Sequence, residues 1–456
     1  MNYKTPGVYV EEIPKFPPSV AQVETAIPAF VGYTEKGPKN EPTRITSMLE
    51  YEALFGKAKN EGGAITVSIS DNVVSANFDT AKLGKFQMYY AMQMYFANGG
   101  GPCYIVSVGS AAGYPAAPIL ADLQNGLKTL EKEDEPTLIV FPDVEGLSAA
   151  ADAYSLYNSA LNQAEEMKDR FVIMDVVGNT DAFRTGITAK GLKYGAAYYP
   201  KLETILNYSF EDKDVIISSF KEKDVNGDLQ PVSMPANQNN VAWLKTKSSA
   251  LYNQAQSVIA SRKVVMAPSS AMAGIYAKVD STSGVFKAPA NVGLNYVVEP
   301  VLKLSPDELD SLNVDATSGK SINAIRTFTG KGTMVWGART LDGNSNEWRY
   351  VSVRRFFNMV EESVKKATER FVFEANTANT WVKVQAMIEN FLNEQWKDGA
   401  LAGSKPEEAY YVSVGLNKTM SAQDILEGRM IIEVGMAAVR PAEFIILRFS
   451  HKLQEA

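Results

Sequence analysis

The feature that most constrains this chain is a run in which two strand-length apolar segments flank a helical one. Thr137–Phe141 reads as a strand, Ser148–Lys168 as a helix and Arg170–Val177 as a second strand. Strands separated by a helix of that length pair in parallel through a crossover, so the rhythm predicts an α/β body. Strand candidates at Ala26–Gly32, Cys103–Val108, Ala196–Tyr199, Asp214–Ser218 and Lys263–Ala267 extend it, with helices near Ser47–Leu54, Leu83–Asn98 and Ala250–Ser261. The helix after Leu83 should stop at Gly99-Gly100-Gly101-Pro102, where glycine permits a left-handed cap and proline blocks continuation. Glu61–Asp79 reads as a loop or small hairpin, and Ser219–Asn240 as polar and loop-like. With 456 residues, the chain is long enough for two or three domains.

The two ends read differently from the middle. Pro6, Pro14, Pro17 and Pro18 forbid a helix in the first twenty residues, while Val8 and Val10 alternate with Tyr9 and Glu11. A short strand bounded by prolines has no local partner and must find one elsewhere. In the last hundred residues, Val353–Phe373 sets Phe356, Val360, Val364, Ala367 and Phe371 on one helical face. A second helix carries Trp381, Val384, Ile388, Phe391 and Trp396 in the same way, and Gly399 ends it. Three strands are expected after it, at Tyr410–Val414, Met430–Gly435 and Glu443–Phe449.

Composition excludes several chemistries. The single cysteine, Cys103, rules out an intramolecular disulfide framework and a multi-cysteine zinc site. The single histidine, His451, lies near the C-terminus and reads as a surface residue, a poor base for a catalytic triad. A net charge of −7 argues against a nucleic-acid partner. No secretory h-region follows Met1, and no run of about 18 apolar residues suggests a membrane span. Assembly in a cytoplasm is therefore expected.

Phosphate-loop motifs fail on their spacing. Gly319-Lys320-Ser321 lacks the glycine five positions earlier, where Val314 stands, and in Gly330-Lys331-Gly332-Thr333 the lysine precedes glycine. Asn98–Gly101 follows a helix instead of joining a strand to one, which is the wrong context for a dinucleotide fingerprint. Asp342–Glu347 has its glycine second, so it reads as a turn and not a calcium loop. Acid pairs such as Asp143 and Glu145 default to solvated surface among 52 carboxylates. Arg354, Arg355, Lys365 and Lys366, balanced in part by Glu361, Glu362 and Glu369, read as a solvated helix face. No catalytic, cofactor or metal residue is expected.

Several segments resemble the contractile tail sheath family of myophages, R-type pyocins and extracellular injection systems. They are YKTPGVYVEE at Tyr3–Glu12, AIPAFVGYTEKG at Ala26–Gly37 and NGGGPCYIVSV at Asn98–Val108. Ala273–Ala290 and Ile322–Leu341 fit too, as does Arg349–Phe449 with FVFEANTANTW, NFLNEQWKDGALAG and RPAEFIILRF. The matches run in order along the chain and are poorest at Gly56–Asp79 and Val177–Asn240.

The resemblance implies a non-enzymatic, multi-domain mixed α+β sheath fold. Residues 1–20 would be an N-terminal arm, 21–345 the outer part, 346–442 a tube-facing domain and 443–456 a C-terminal β-arm. The arm strands would carry Val8, Tyr9 and Val10 at one end and Phe444, Ile445, Ile446 and Leu447 at the other, pairing with sheets of neighbouring subunits. Such heterologous contacts propagate as a tube of stacked hexameric rings. The implied partners are other copies of the chain, an inner tube protein, and baseplate and terminal cap proteins. Contraction would need two packings of one body and no nucleotide. The helix with Arg354, Arg355, Lys365 and Lys366 is one candidate to face the tube, and Val382–Trp396 is another. A phage tail sheath works by the same mechanism and is the near alternative. An α/β nucleotide-binding enzyme rests on the βαβ rhythm alone.

Overall fold

The computed structural model describes residues 19–109, 113–235 and 238–446. Two compact units emerge. One comprises Glu24–Asn358 together with the chain from Arg440 onward, and the other comprises Met359–Val439 with the residues up to Val23. The helix Val351–Thr368 carries the chain from the first unit into the second and ends before Phe373, the expected limit.

The larger unit is built on a nine-stranded sheet. Its six central strands are parallel, in the spatial order Ile322–Phe328, Gly195–Tyr199, Phe171–Asp175, Leu138–Val140, Pro28–Gly32 and Cys103–Ser107. Antiparallel strands close both sides: Thr43–Ile45 at one, Gly332–Trp336 and then Val292–Gly293 at the other. A parallel sheet must be covered on both faces, and its side chains divide by parity. Ala29, Val31, Val172 and Met174 enter one core, with Leu123, Leu127, Leu156 and Leu161 from the helices Leu120–Thr129 and Ala150–Met167. Phe30, Phe171 and Ile173 enter the opposite core, with Met92, Tyr95, Ala273 and Tyr276 from Met88–Ala97 and Ser269–Ser283. Gly126 lets one helix lie close on the sheet, since a Cβ there would meet Val108 at 2.5 Å and Val31 at 2.7 Å.

Two carboxylates lie buried at helix starts in this unit. Asp143, just past the strand Leu138–Val140, accepts hydrogen bonds from the Tyr33 and Gln87 amides at 2.6 Å each, the latter at the start of Met88–Ala97. Asp175 accepts from the amide and hydroxyl of Ser269, at 2.8 and 2.6 Å, where Ser269–Ser283 begins. This corrects the solvated reading of Asp143, which is fully buried. The partially positive end of a helix holds each carboxylate in place of a cation. Burial pushes both groups up to about 7, outweighing the donors that favour the charged form.

An acid whose pKa is raised by folding binds more protons folded than unfolded. Its stabilising contribution is therefore complete below about pH 4 and fades as pH rises through about 7. Wild type should exceed Asp143→Asn in stability by more at pH 5 than at pH 8. The expected difference is on the order of 2 kcal/mol, and urea unfolding at the two pH values measures it.

The stretch Glu61–Asp79 forms a hairpin, Ile65–Ser70 with Val73–Phe78, turned by Asp71 and Asn72 at φ 49° and 63°. Positive φ at both turn residues matches the twist of paired strands. Ser219–Asn240 is not the loop its polarity suggested. Ile216–Lys223 is one strand, parallel to Ile65–Ser70 and paired with Leu229–Pro231. A register shift between Ile217 and Ser219 breaks the alternation that would have marked it in the sequence.

Candidate assembly sites at a strand ribbon and at the chain ends

In the unit Met359–Val439, the strands Tyr410–Val414 and Ile432–Met436 pair with each other and, among the described residues, with no third strand. The ribbon packs on the helix Ala378–Lys397, whose Val384, Ile388, Phe391 and Leu392 are buried. Val412 and Val414 are buried, yet their cross-strand partners Val434 and Ile432 on the same face are only half-buried. Gly435 stands opposite Tyr411, and a Cβ there would lie 2.1 Å from the Tyr411 ring, which covers the glycine and hydrogen-bonds Glu433 at 2.7 Å. A two-stranded ribbon is marginal alone and gains from further strands. This one offers two outer edges and an incompletely covered apolar face.

The C-terminal run supplies strand-forming residues without a partner. Phe444, Ile445 and Ile446 are 68%, 79% and 75% exposed and, among the described residues, join no strand. The expected strand Glu443–Phe449 is thus absent in its described part, where no described strand offers it a ladder. Leu447, like Val8, Tyr9 and Val10, lies outside the described residues.

Just before this run the chain is tied to the body. Glu443 accepts from Arg339 Nε at 2.9 Å and Nη2 at 2.7 Å, from Asn313 Nδ2 at 2.9 Å and from Tyr350 Oη at 3.0 Å. Four donors saturate a carboxylate. Burial opposes the charge on Glu443, but the Arg339 fork and the Asn313 and Tyr350 donors prevail and hold its carboxyl below the usual range. Sequence reasoning missed Arg339, since an isolated Arg in GARTL carries no signal of its partner about a hundred residues on.

The charged helix divides into two different sites. Arg354 and Arg355 are only 2% and 3% exposed, against the reading of a solvated face. The Arg354 guanidinium lies 4.2 Å from the Trp348 ring centroid and 5.0 Å from that of Tyr194. Arg355 donates Nη1 and Nη2 to Asp280 at 3.0 and 2.5 Å and Nη2 to the Thr25 carbonyl at 2.9 Å, and it sits over Tyr276. Thr25 Oγ1 in turn donates to Asp280 at 2.6 Å, fixing the chain where it enters the larger unit. Nearly three turns beyond, Lys365 is exposed and Lys366 half-buried, with ion pairs to Glu362 at 3.1 and 3.5 Å.

The near-miss motifs have structural uses. Lys320 donates to the Arg184 and Ile187 carbonyls at 2.5 and 2.6 Å, and Gly330 and Gly332 turn the hairpin Ile322–Phe328/Gly332–Trp336 at φ 79° and 78°. Asp342 accepts the Ser345 amide in a turn. Glu145 pairs with Lys201 at 2.7 Å. Among the described residues no three His, Cys, Asp or Glu side chains gather as a metal site, and no helix is long and apolar enough to cross a membrane.

The family model of the phage tail sheath C-terminal domain matches residues 344–452. The tail sheath protein of Vibrio phage KVP40 is 26% identical over 121 residues, which are 26% of this chain and 18% of that protein. The chain thus matches less than a fifth of that curated relative's length. Solved structures match throughout. The PVC sheath complex of an extracellular contractile injection system, in the contracted state, is 30% identical, with 100% of this chain and 99% of that one covered and a TM-score of 0.65. The contracted helical sheath of the anti-feeding prophage is also 30% identical, with 99% and 100% covered and a TM-score of 0.64. A shared fold and 30% identity along essentially the whole of both chains establish that this chain belongs to the contractile sheath protein family.

Proposed function

We infer that the chain is the structural subunit of a contractile sheath and polymerises by strand exchange around an inner tube. One observation carries the reading: among the described residues, a ribbon of two strands has no third strand, and the exposed Phe444–Ile446 run has no strand partner. Each copy would donate strands from its ends, residues Val8–Val10 and Phe444–Leu447, and receive strands at its ribbon. The contact is β-augmentation, heterologous from copy to copy, and so propagates as stacked rings and not as a closed dimer. The particle would include an inner tube, a baseplate and a terminal cap, be assembled in a cytoplasm and drive the tube through a target envelope without nucleotide or catalysis. Extracellular injection systems supply the relatives matched along the whole chain, which favours that setting over a phage tail.

In this reading the arms carry the mesh and the bodies carry the contacts made on contraction. The tube would meet the exposed faces of Lys365 and Lys366 or of the helix between Val382 and Trp396. Arg354 and Arg355, being internal, are structural supports. Reversing both lysines to glutamate should cut co-assembly with the tube protein by at least about tenfold, the scale of a lost complementary charge patch. Melting of the isolated chain should fall as well, because both lysines pair with the buried Glu362, so co-assembly is compared well below the melting range of the variant. Co-sedimentation with purified tube measures the first, and normal co-sedimentation would transfer the contact to Val382–Trp396.

Negative-stain electron microscopy of the protein expressed with its tube tests the function itself. Hollow cross-striated cylinders, in a long narrow and a short wide form, are expected. Monomers under every condition would reject the sheath reading.

A further inference from the structure

The Glu443 cluster does more than close a surface. Its carboxylate is saturated by a buried arginine fork, an asparagine amide and a tyrosine hydroxyl, and the next three residues are large, apolar and exposed. Arg339 is itself held in place: its amide donates to Asn323 Oδ1 at 2.8 Å, and Asn323 Nδ2 donates back to its carbonyl at 2.8 Å. Arg339 Nη1 also reaches the Asn313 carbonyl at 3.3 Å. The anchor is therefore fixed on the body from three segments, around Asn313, Asn323–Arg339 and Tyr350.

In a strand, a shift of one residue turns every side chain to the opposite face. An arm of four consecutive apolar residues, Phe444 to Leu447, has no alternation of its own to select a register. Something outside the arm must choose which of Phe444/Ile446 and Ile445/Leu447 faces the acceptor. Resting on the strand-exchange reading above, we propose that the Arg339–Glu443 clamp is the register pin of the C-terminal arm, fixing Phe444 as the first residue able to pair with a neighbouring subunit. Arg339, Asn313 and Tyr350 are then positioning residues for assembly and touch no partner.

Insertion variants of the full chain test this. One glycine inserted between Glu443 and Phe444 inverts the faces of the arm. It should raise the concentration threshold for cylinder formation by at least about tenfold, since large apolar groups are exchanged between faces. Two glycines restore the parity and should recover most of the assembly, a pattern that a general loss of stability would not produce. Glu443→Ala unpins the arm: chymotrypsin should cleave after Phe444 in the monomer about tenfold faster, the cost of losing a bidentate charged contact that holds the adjoining residue. In that background the single glycine should add no further defect. One-glycine and two-glycine variants assembling equally well would overturn the pin. Truncation after Glu443 separates this from the parent reading. Cylinders formed by the truncated chain would reject strand exchange itself, whereas no cylinders from truncation but full tolerance of one glycine would reject the pin alone.

Discussion

Truncation after Glu443 is expected to leave a folded chain that forms no cylinders at concentrations where the full chain polymerises completely. Among the described residues, 444–446 join no ladder and are largely exposed, so their removal should cost the monomer almost nothing. In the assembled sheath each arm would add about four or five backbone hydrogen bonds, at a net ~1 kcal/mol apiece. It would also bury several large apolar side chains, at ~1.5–3 kcal/mol each. Ordering the arm takes back part of this gain. A remaining loss of only ~5 kcal/mol per contact already weakens association by more than a thousandfold. Sedimentation velocity and electron microscopy read the assembly, and thermal melting within about 2 °C of the full chain confirms the fold. Cylinders at the usual threshold would mean that the body faces alone hold the sheath.

Asp280→Ala should be the most destabilising single change in the larger unit. Arg355 and Asp280 pair with side chains that are 3% and 6% exposed, and Thr25 bonds to both. Removing the carboxylate leaves the guanidinium buried, with the Thr25 carbonyl and the Tyr276 ring as its remaining partners among the described residues. Breaking such a pair from one side costs about 3–5 kcal/mol, which for a unit of this size lowers melting by roughly 5–10 °C. Replacing both members by apolar residues, Arg355→Met with Asp280→Leu, should be milder than Asp280→Ala alone, because no charge is left stranded. Urea midpoints of the three proteins decide the order. A double variant less stable than the single one would show that the pair contributes by its attraction and not by mutual rescue from burial.

Elements with a clean local signal were legible. The parallel strands at Phe171–Asp175 and Cys103–Ser107 are short continuous apolar runs, and the helix at Ala150–Met167 lies between two such runs. Other elements gave no such signal. Ser269–Ser283 is a buried helix ending in Asp-Ser-Thr-Ser, and being covered on nearly every side it has no polar face to set a period. Leu202–Asn207 and Ile216–Lys223 mix charge and hydroxyls with apolar residues, and their strand state comes from the neighbours they pair with.

The site followed the same rule. Phe444 to Ile446 were expected in a strand from their composition alone, and in the described residues they form none. Arg354 and Arg355 could not be placed, because a charged pair on a helix looks solvated until the rest of the chain supplies Asp280, Trp348 and Tyr194. Asp143 was misread for the same cause, its donors being amides of Tyr33 and Gln87.

The sequence by itself determined the α/β body and the kinship with contractile sheaths, because these rest on local periodicity and on motifs kept in order along the chain. Tertiary structure alone decided which charges are buried and what holds Glu443 just before the exposed C-terminal run. Those properties depend on pairings between residues tens to hundreds of positions apart, as between Arg339 and Glu443, and no local pattern encodes them.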